Sequence, residues 1–240
     1  MSFKHGTATR VLANEHHVSA VVAGWSVSST RGMGEVTALL DGGAKFVPGL
    51  ISGSLALRGP QDHEQALHDE IVAAVDVDNG LIVTCCPAGY AIGKPAMFGQ
   101  FDPTEFAIDA SSTDAVGYSL TATGDDGVDL GYVLHALGAE TGDGNGTAVD
   151  RGTVGTPSTG GAALVLHATA YSGFTSVGIK VQHSANGTDW TDLASFASIT
   201  AVGAQRALVA DGTTVNRYLR VVTDVTGTGS VTYLVAVAPR

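Results

Sequence analysis

The sequence predicts a mostly-β chain with one α-helix near residues 60–77 and a second β-sandwich at its C-terminal end. Three observations carry this. Glycine is abundant, 32 of 240 residues, while charged residues make up only 15%. Runs of four to eight residues alternate apolar and polar, the period of a half-buried strand. Turn signals recur at the spacing of short strands.

Val18–Val27 (VSAVVAGWSV) is apolar and β-branched and reads as the first strand. A second is expected near Glu35–Leu40, and Pro48-Gly49 reads as a turn. In Leu50–Leu57 the set Ile51, Gly53, Leu55 and Leu57 is the buried face. The period then changes: Leu67, Ile71, Ala74 and Val75 share one helical face. Pro60 suits the first turn, Asp62 and Glu64 sit at the positive end of the dipole, and Asn79-Gly80 ends the helix.

Strands resume with LIVTCCP and PAMFGQFDPTEFAIDA. Val116, Tyr118, Leu120 and Ala122 share a strand face, GDDGVDLG reads as a turn, and Gly131–Ala136 is a further short strand. The polar, glycine-rich run 139–161 reads as a linker. It divides the chain into a domain over 1–150 and a β-sandwich over 162–240, the first expected to stand without the second. In the sandwich, ALVLHATAYS is a strand and Asn186-Gly187 is the type I′ turn of a hairpin. RYLRVVTDV and SVTYLVAVA are two strands joined by the turn TGTGS.

The net charge of −11 is unevenly placed. Residues 1–150 hold 19 Asp/Glu and 6 Lys/Arg, a net of −13, and residues 151–240 hold 4 and 6, a net of +2. An acidic first part argues against tight nucleic-acid binding, which needs a basic face. Cys85 and Cys86 are adjacent, so on a strand they point to opposite faces and no disulfide framework is indicated. No apolar leader follows the start and no membrane-length apolar run exists, which points to intracellular synthesis.

Two stretches resemble the phage tail tube family: residues 35–62 (EVTALLDGGAKFVPGLISGSLALRGPQD) and residues 87–137, which close on Asp129, Gly131 and Leu134. The resemblance covers most of residues 10–137. It implies a structural virion protein, the major tail protein of a long-tailed phage. Six subunits would form a ring, and rings would stack into a tube. Sheets would join edge to edge around a lumen that passes DNA and the tape-measure protein, with other tail proteins as further partners. Ring closure would consume the strand edges that endanger a monomer. Residues 162–240 resemble the Ig-like or jelly-roll sandwiches that decorate tail exteriors. The implied place is the phage tail, assembled in the host cytoplasm, and the lumen is expected to be lined by acids of residues 1–150.

No residue is assigned to catalysis, cofactor or metal. Adjacent His16 and His17 diverge, and His63 and His68 are five apart, off the zinc spacing. Asp143, Asn145 and Thr147 have calcium-loop spacing, but Ala148 stands where glycine is required. Asp125, Asp126 and Asp129 are explained by a turn. Neither a GxxxxGK[ST] loop nor a GxSxG elbow is present. Asn145 and Asn186 begin glycosylation sequons without a secretion context. Trp190 and Tyr171 are assigned to sandwich packing. The rival reading makes them a sugar platform, and the chain a cell-surface carbohydrate-binding module. An acid-pair enzyme finds no candidate pair.

Overall fold

The computed structural model describes residues 6–39, 41–61, 68–69, 71, 74, 80–113, 115–153 and 156–240. It is mostly β, as the patterning requires. Contacts divide it into two units. One comprises Met1–Ala20, Ile82–Phe98 and Asp129–Arg240; the other comprises Val21–Leu81 and Gly99–Val128.

The second unit is built on β3 (Gly24–Glu35), β4 (Phe46–Pro60) and the first part of β7 (Gly117–Glu140). β4 pairs antiparallel with β3 on one side and, over Gly53–Pro60, with β7 on the other. The registers set Trp25–Leu57–Leu120 and Val27–Leu55–Ala122 in rows on one face. Leu55, Leu57, Leu120 and Ala122 are buried. The other face carries the rows Ser28–Ser54–Thr123 and Ser26–Ala56–Thr121. The expected buried set of β4 holds at Gly53, Leu55 and Leu57, while Ile51 is exposed. Gly53 has no room for a side chain, because a Cβ there would lie 2.6 Å from Val128 Cγ2.

Several expected boundaries move. Val18–Ala20 is a 3-10 turn and the strand starts at Gly24. Pro48 and Pro60 both lie within β4 rather than in a turn and a helix start. The reason is the edge: at Pro48 β4 pairs only with β3, and at Pro60 only with β7, so neither proline deprives a central ladder of a donor. His68, Asp69, Ile71 and Ala74 are helical. The remainder of the expected 60–77 helix, with its Asp62, Glu64, Leu67, Val75 and Asn79, lies outside the described residues.

In the first unit the hydrogen-bonded order is β11-β10-β13-β7-β6-β5-β1-β2. These strands are β1 (Arg10–Ala13), β2 (His16–His17), β5 (Leu81–Cys86), β6 (Pro95–Asp109), β10 (Ala162–Ser184), β11 (Thr191–Ser195) and β13 (Tyr218–Pro239), with β7 as above. β12 (Gly203–Val209) also pairs with β10. β10 and β13 form a long antiparallel ribbon. The expected turns inside it, TGTGS among them, are irregularities within continuous strands: register shifts at 168–176 and a positive φ of 98° at Gly227. GDDGVDLG is likewise a kink inside β7, at Asp126 (φ 59°) and Gly127 (φ 80°). The 184–191 connection is not type I′, because Gly187 but not Asn186 has positive φ. Instead Asn186 Oδ1 accepts the amides of Thr188 and Asp189, each at 2.9 Å.

Alternation along β10 feeds two cores. Leu164 and Leu166 join Val177, Ile179, Tyr233 and Val235 in one. Ala163 and Val165 join Leu12, Cys86, Phe98, Val133 and Leu234 in the other. The expected division at 150/162 is therefore not where contacts divide the chain: residues before and after that point share a core. Nor is 139–161 a free linker. β8 (Gly144–Asn145) and β9 (Val149–Asp150) pair with β13, and Asp143 Oδ1 accepts the Val225 amide at 2.7 Å. Polar composition disguises these contacts because they are made by backbone and short side chains.

Cys85 and Cys86 are free and buried. Burial raises both thiols, Cys86 to about 12. His167, fully buried, ties the odd side of β10 to the opposite strands. Its Nδ1 donates to Asn14 O at 2.6 Å, so Nε2 accepts from Thr84 Oγ1 at 2.7 Å. Burial lowers its pKa from 6.5 to about 4, the Asn14 bond opposing. Between those values the unfolded chain binds the extra proton, so stability is present above 6.5 and falls as pH drops toward 4. The loss is about 3 kcal/mol at 1.36 kcal/mol per pH unit. Urea midpoints at pH 7 and 4.5 are expected to differ more in wild type than in His167→Gln; equal differences would remove His167 as the cause.

Candidate assembly interface

β3 and β4 extend beyond the sheet that anchors them. β7 supports β4 only from Gly53 onward, so the distal register, Met33↔Pro48, Gly34↔Val47 and Glu35↔Phe46, stands as a two-stranded arm. Its tip is organised by polar contacts. Thr37 donates to Glu35 Oε1 at 2.7 Å and accepts the Lys45 amide at 3.0 Å. Asp41 accepts the Ala38 amide at 2.7 Å and pairs with Lys45, whose hydrogen bond lowers its pKa.

The arm is nevertheless apolar in its exposed residues. Leu50 is 92% exposed and Leu39 fully so, while Met33, Val36, Phe46, Val47 and Ile51 are each more than half exposed. Adjacent strand residues such as Phe46 and Val47 point to opposite faces, so both faces of the ribbon are apolar. A two-stranded ribbon has no core of its own to bury these side chains. Contiguous exposed apolar surface marks an interaction site. Among the described residues β3 pairs with β4 alone, so its outer edge is also open to another strand.

A second feature is buried. Asp129, at the start of the first unit's share of β7, is 5% exposed. Its Oδ2 accepts from Arg206 Nη2 at 3.0 Å, and its Oδ1 from Arg240 Nη2 at 2.7 Å. The turn reading of Asp129 is thus corrected to a buried anion between two cations. The other residues of that closure have equally specific places. A Cβ on Gly131 would lie 2.0 Å from Val237 O, and Leu134 is buried in the larger core.

The remaining candidates are dispersed. His17 packs edge-on against Tyr90, with its pKa lowered by burial and then by Arg10. His68 packs against Phe106, and His63 lies outside the described residues. Among the described residues no group of three or more His, Cys, Asp or Glu is placed to hold a metal ion. Tyr171 packs against the larger core and donates to Phe174 O at 2.8 Å. Trp190 departs from the packing assignment: it is half-buried, with the Arg220 guanidinium 4.2 Å over its ring. Arg220 is itself held by Gln182 Oε1 at 2.7 Å. A sugar platform there would find one face of the ring occupied.

No family model and no curated protein matches the sequence. Solved structures to which the chain is similar include tail, hub and tube proteins. A protein of the virion of a native gene transfer agent particle is 11% identical, with a TM-score of 0.46, over 53% of this chain and 98% of its own. The Dit protein of phage SPP1, described as a paradigm of the hub adsorption apparatus in phages of Gram-positive hosts, is 9% identical over 96% and 98%, TM-score 0.38. A chain from the sheath-tube complex of an extracellular contractile injection system is 15% identical over 53% and 90%, TM-score 0.43.

Proposed function

We propose that this chain is a structural subunit of a phage-type tail. It closes into six-membered rings that stack as a tube for genome passage, beside tape-measure and other tail proteins. Its place is the virion, after assembly in the host cytoplasm. The observation that carries the reading is the β3–β4 arm: a ribbon apolar on both faces, with an open outer edge, which a monomer leaves in water. A neighbouring copy supplies both needs at once, a strand for the edge and a surface for the side chains. Burying one Leu contributes about 1.5–3 kcal/mol. Multiplied around a ring, the arm is a sufficient driving force.

Leu50→Lys is the direct test. At 92% exposure the change disturbs little packing among the described residues. The variant is expected to melt like wild type but to sediment as a single subunit at concentrations where wild type forms large particles. A variant that assembles like wild type would remove the arm from the interface.

A further inference from the structure

The face of the β3–β4–β7 sheet that turns away from the core is lined by hydroxyls. Four rows cross it: Thr30–Ser52, Ser28–Ser54–Thr123, Ser26–Ala56–Thr121 and Gly24–Arg58–Ser119. The Ser and Thr of these rows are exposed. Several bond to each other: Ser28 Oγ lies 2.8 Å from Ser54 Oγ, and Thr30 Oγ1 lies 3.1 Å from Ser52 Oγ. These rows contain no carboxylate and one cation, Arg58, whose side chain lies across Gly24. The nearest acids along the strands stand at the margin: Asp125 is two residues beyond Thr123, and Glu105 is on β6.

From this we infer that the three rows Thr30–Ser52, Ser28–Ser54–Thr123 and Ser26–Ala56–Thr121 form the wall of the channel, with the Arg58 row at its end, and that the polyanion passing along them meets short neutral side chains instead of a fence of acids. This rests on the assembly reading above. The two faces of the sheet are not equivalent. On the core face His68 packs on Phe106, and Phe106 on Tyr118, so that face is already covered inside the subunit. If sheets join edge to edge, only the bare face can turn inward without bringing that cover into the bore. Its chemistry suits passage of a phosphate backbone. Each phosphate neutralised by Lys or Arg adds affinity and a salt-dependent grip, whereas hydroxyls paired to one another add neither. The acids of residues 1–150 are partly committed elsewhere: Asp129 to Arg206 and Arg240, Asp150 to Arg217, Asp41 to Lys45.

The two native thiols are buried, so introduced cysteines report cleanly. Ser28→Cys and Thr123→Cys are compared with Ala185→Cys, which lies in the exposed 184–191 connection. Each is treated as free subunit and as assembled particle, with a small maleimide and with one carried on a long polyethylene glycol. In subunits all three sites are expected to take both reagents. In particles, Cys at 28 and 123 is expected to lose reaction with the bulky reagent while keeping the small one, and Cys at 185 to keep both. Bulky labelling of 28 and 123 that is unchanged by assembly would overturn the assignment of this face. Absence of any particle from wild type would overturn the assembly reading instead, and this inference with it. A second arm tests the chemistry: particles of Thr121→Lys are expected to retain a short fluorescent DNA duplex, with the salt slope steepened by about 0.9 for each phosphate that the introduced lysines neutralise. Wild-type particles that already retain the duplex at physiological salt would contradict a neutral, non-gripping wall.

Discussion

A fragment ending at Arg151 is expected not to fold its N-terminal, 82–98 and 129–140 segments. The polar run at 139–161 suggests the opposite, a safe place to cut. The shared core decides the matter. The smaller core of the first unit takes Leu12, Cys86, Ala96, Phe98 and Val133 from before the cut, and Ala163, Val165, Leu234, Ala236 and Ala238 from after it. β7 loses its β13 partner over Tyr132–Glu140, Leu134 loses every other fully buried member of its cluster, and His167 no longer joins Asn14 to Thr84. Each large apolar side chain returned to water costs about 1.5–3 kcal/mol. Four such residues, Leu12, Phe98, Val133 and Leu134, rival the ~5–15 kcal/mol stability of a typical domain. Amide exchange on the fragment should show Arg10–Ala13 and Ile82–Cys86 unprotected, and the fragment should aggregate. A monomeric fragment with those strands protected would restore the division at 150/162.

Asp129→Ala is expected to have the largest effect of any single substitution at a charged residue. It takes the carboxylate away from the guanidinium of Arg206, whose side chain is 9% exposed. Breaking one partner of a buried pair costs about 3–5 kcal/mol. For a chain of this size each kcal/mol shifts Tm by roughly 2–4 °C, so a fall of about 10 °C is expected. Asp150→Ala is the comparison: Asp150 also binds an arginine, Arg217 at 2.5 Å, and its pKa is held at about 2 by that hydrogen bond, but the pair is open to solvent. Its loss is expected to be much smaller. Replacing Asp129 and Arg206 together with apolar residues should recover much of the loss, because the buried cation goes with its anion. Equal Tm shifts for Asp129→Ala and Asp150→Ala would show that burial does not set the cost.

The strand faces were legible where one side of a strand is buried and the other wet. Leu55 and Leu57 on β4 alternate with Ser54, Ala56 and Arg58, and Tyr118, Leu120 and Ala122 on β7 alternate with Ser119, Thr121 and Thr123; the alternation is itself the signal. The opposite faces predicted for Cys85 and Cys86 follow from the same geometry. Strand continuity was not legible. GDDG and TGTGS have turn composition, yet they serve as kinks and register shifts in strands whose partners hold them on both sides of the irregularity. The interleaving of the two units was hidden for a related reason. The partners of β7 lie near residues 53–60 and 231–237, separations that leave no local pattern. Asp129 showed in the sequence as a turn residue and as part of the Asp129, Gly131 and Leu134 closure; its burial depends on Arg206 and Arg240, far along the chain. The arm was half visible: Leu50 and Ile51 read as strand, Phe46 and Val47 led into an expected turn at Pro48-Gly49, and period-two alternation gave no sign that β7 stops short of them.

Self-association is the central claim, and images of concentrated protein test it most directly. Wild-type protein in negative stain should show rings with an open centre, alone or stacked, and Leu50→Lys should show none. A wild-type field of compact single subunits at every concentration, together with absence of the protein from the tails of virions, would contradict the account.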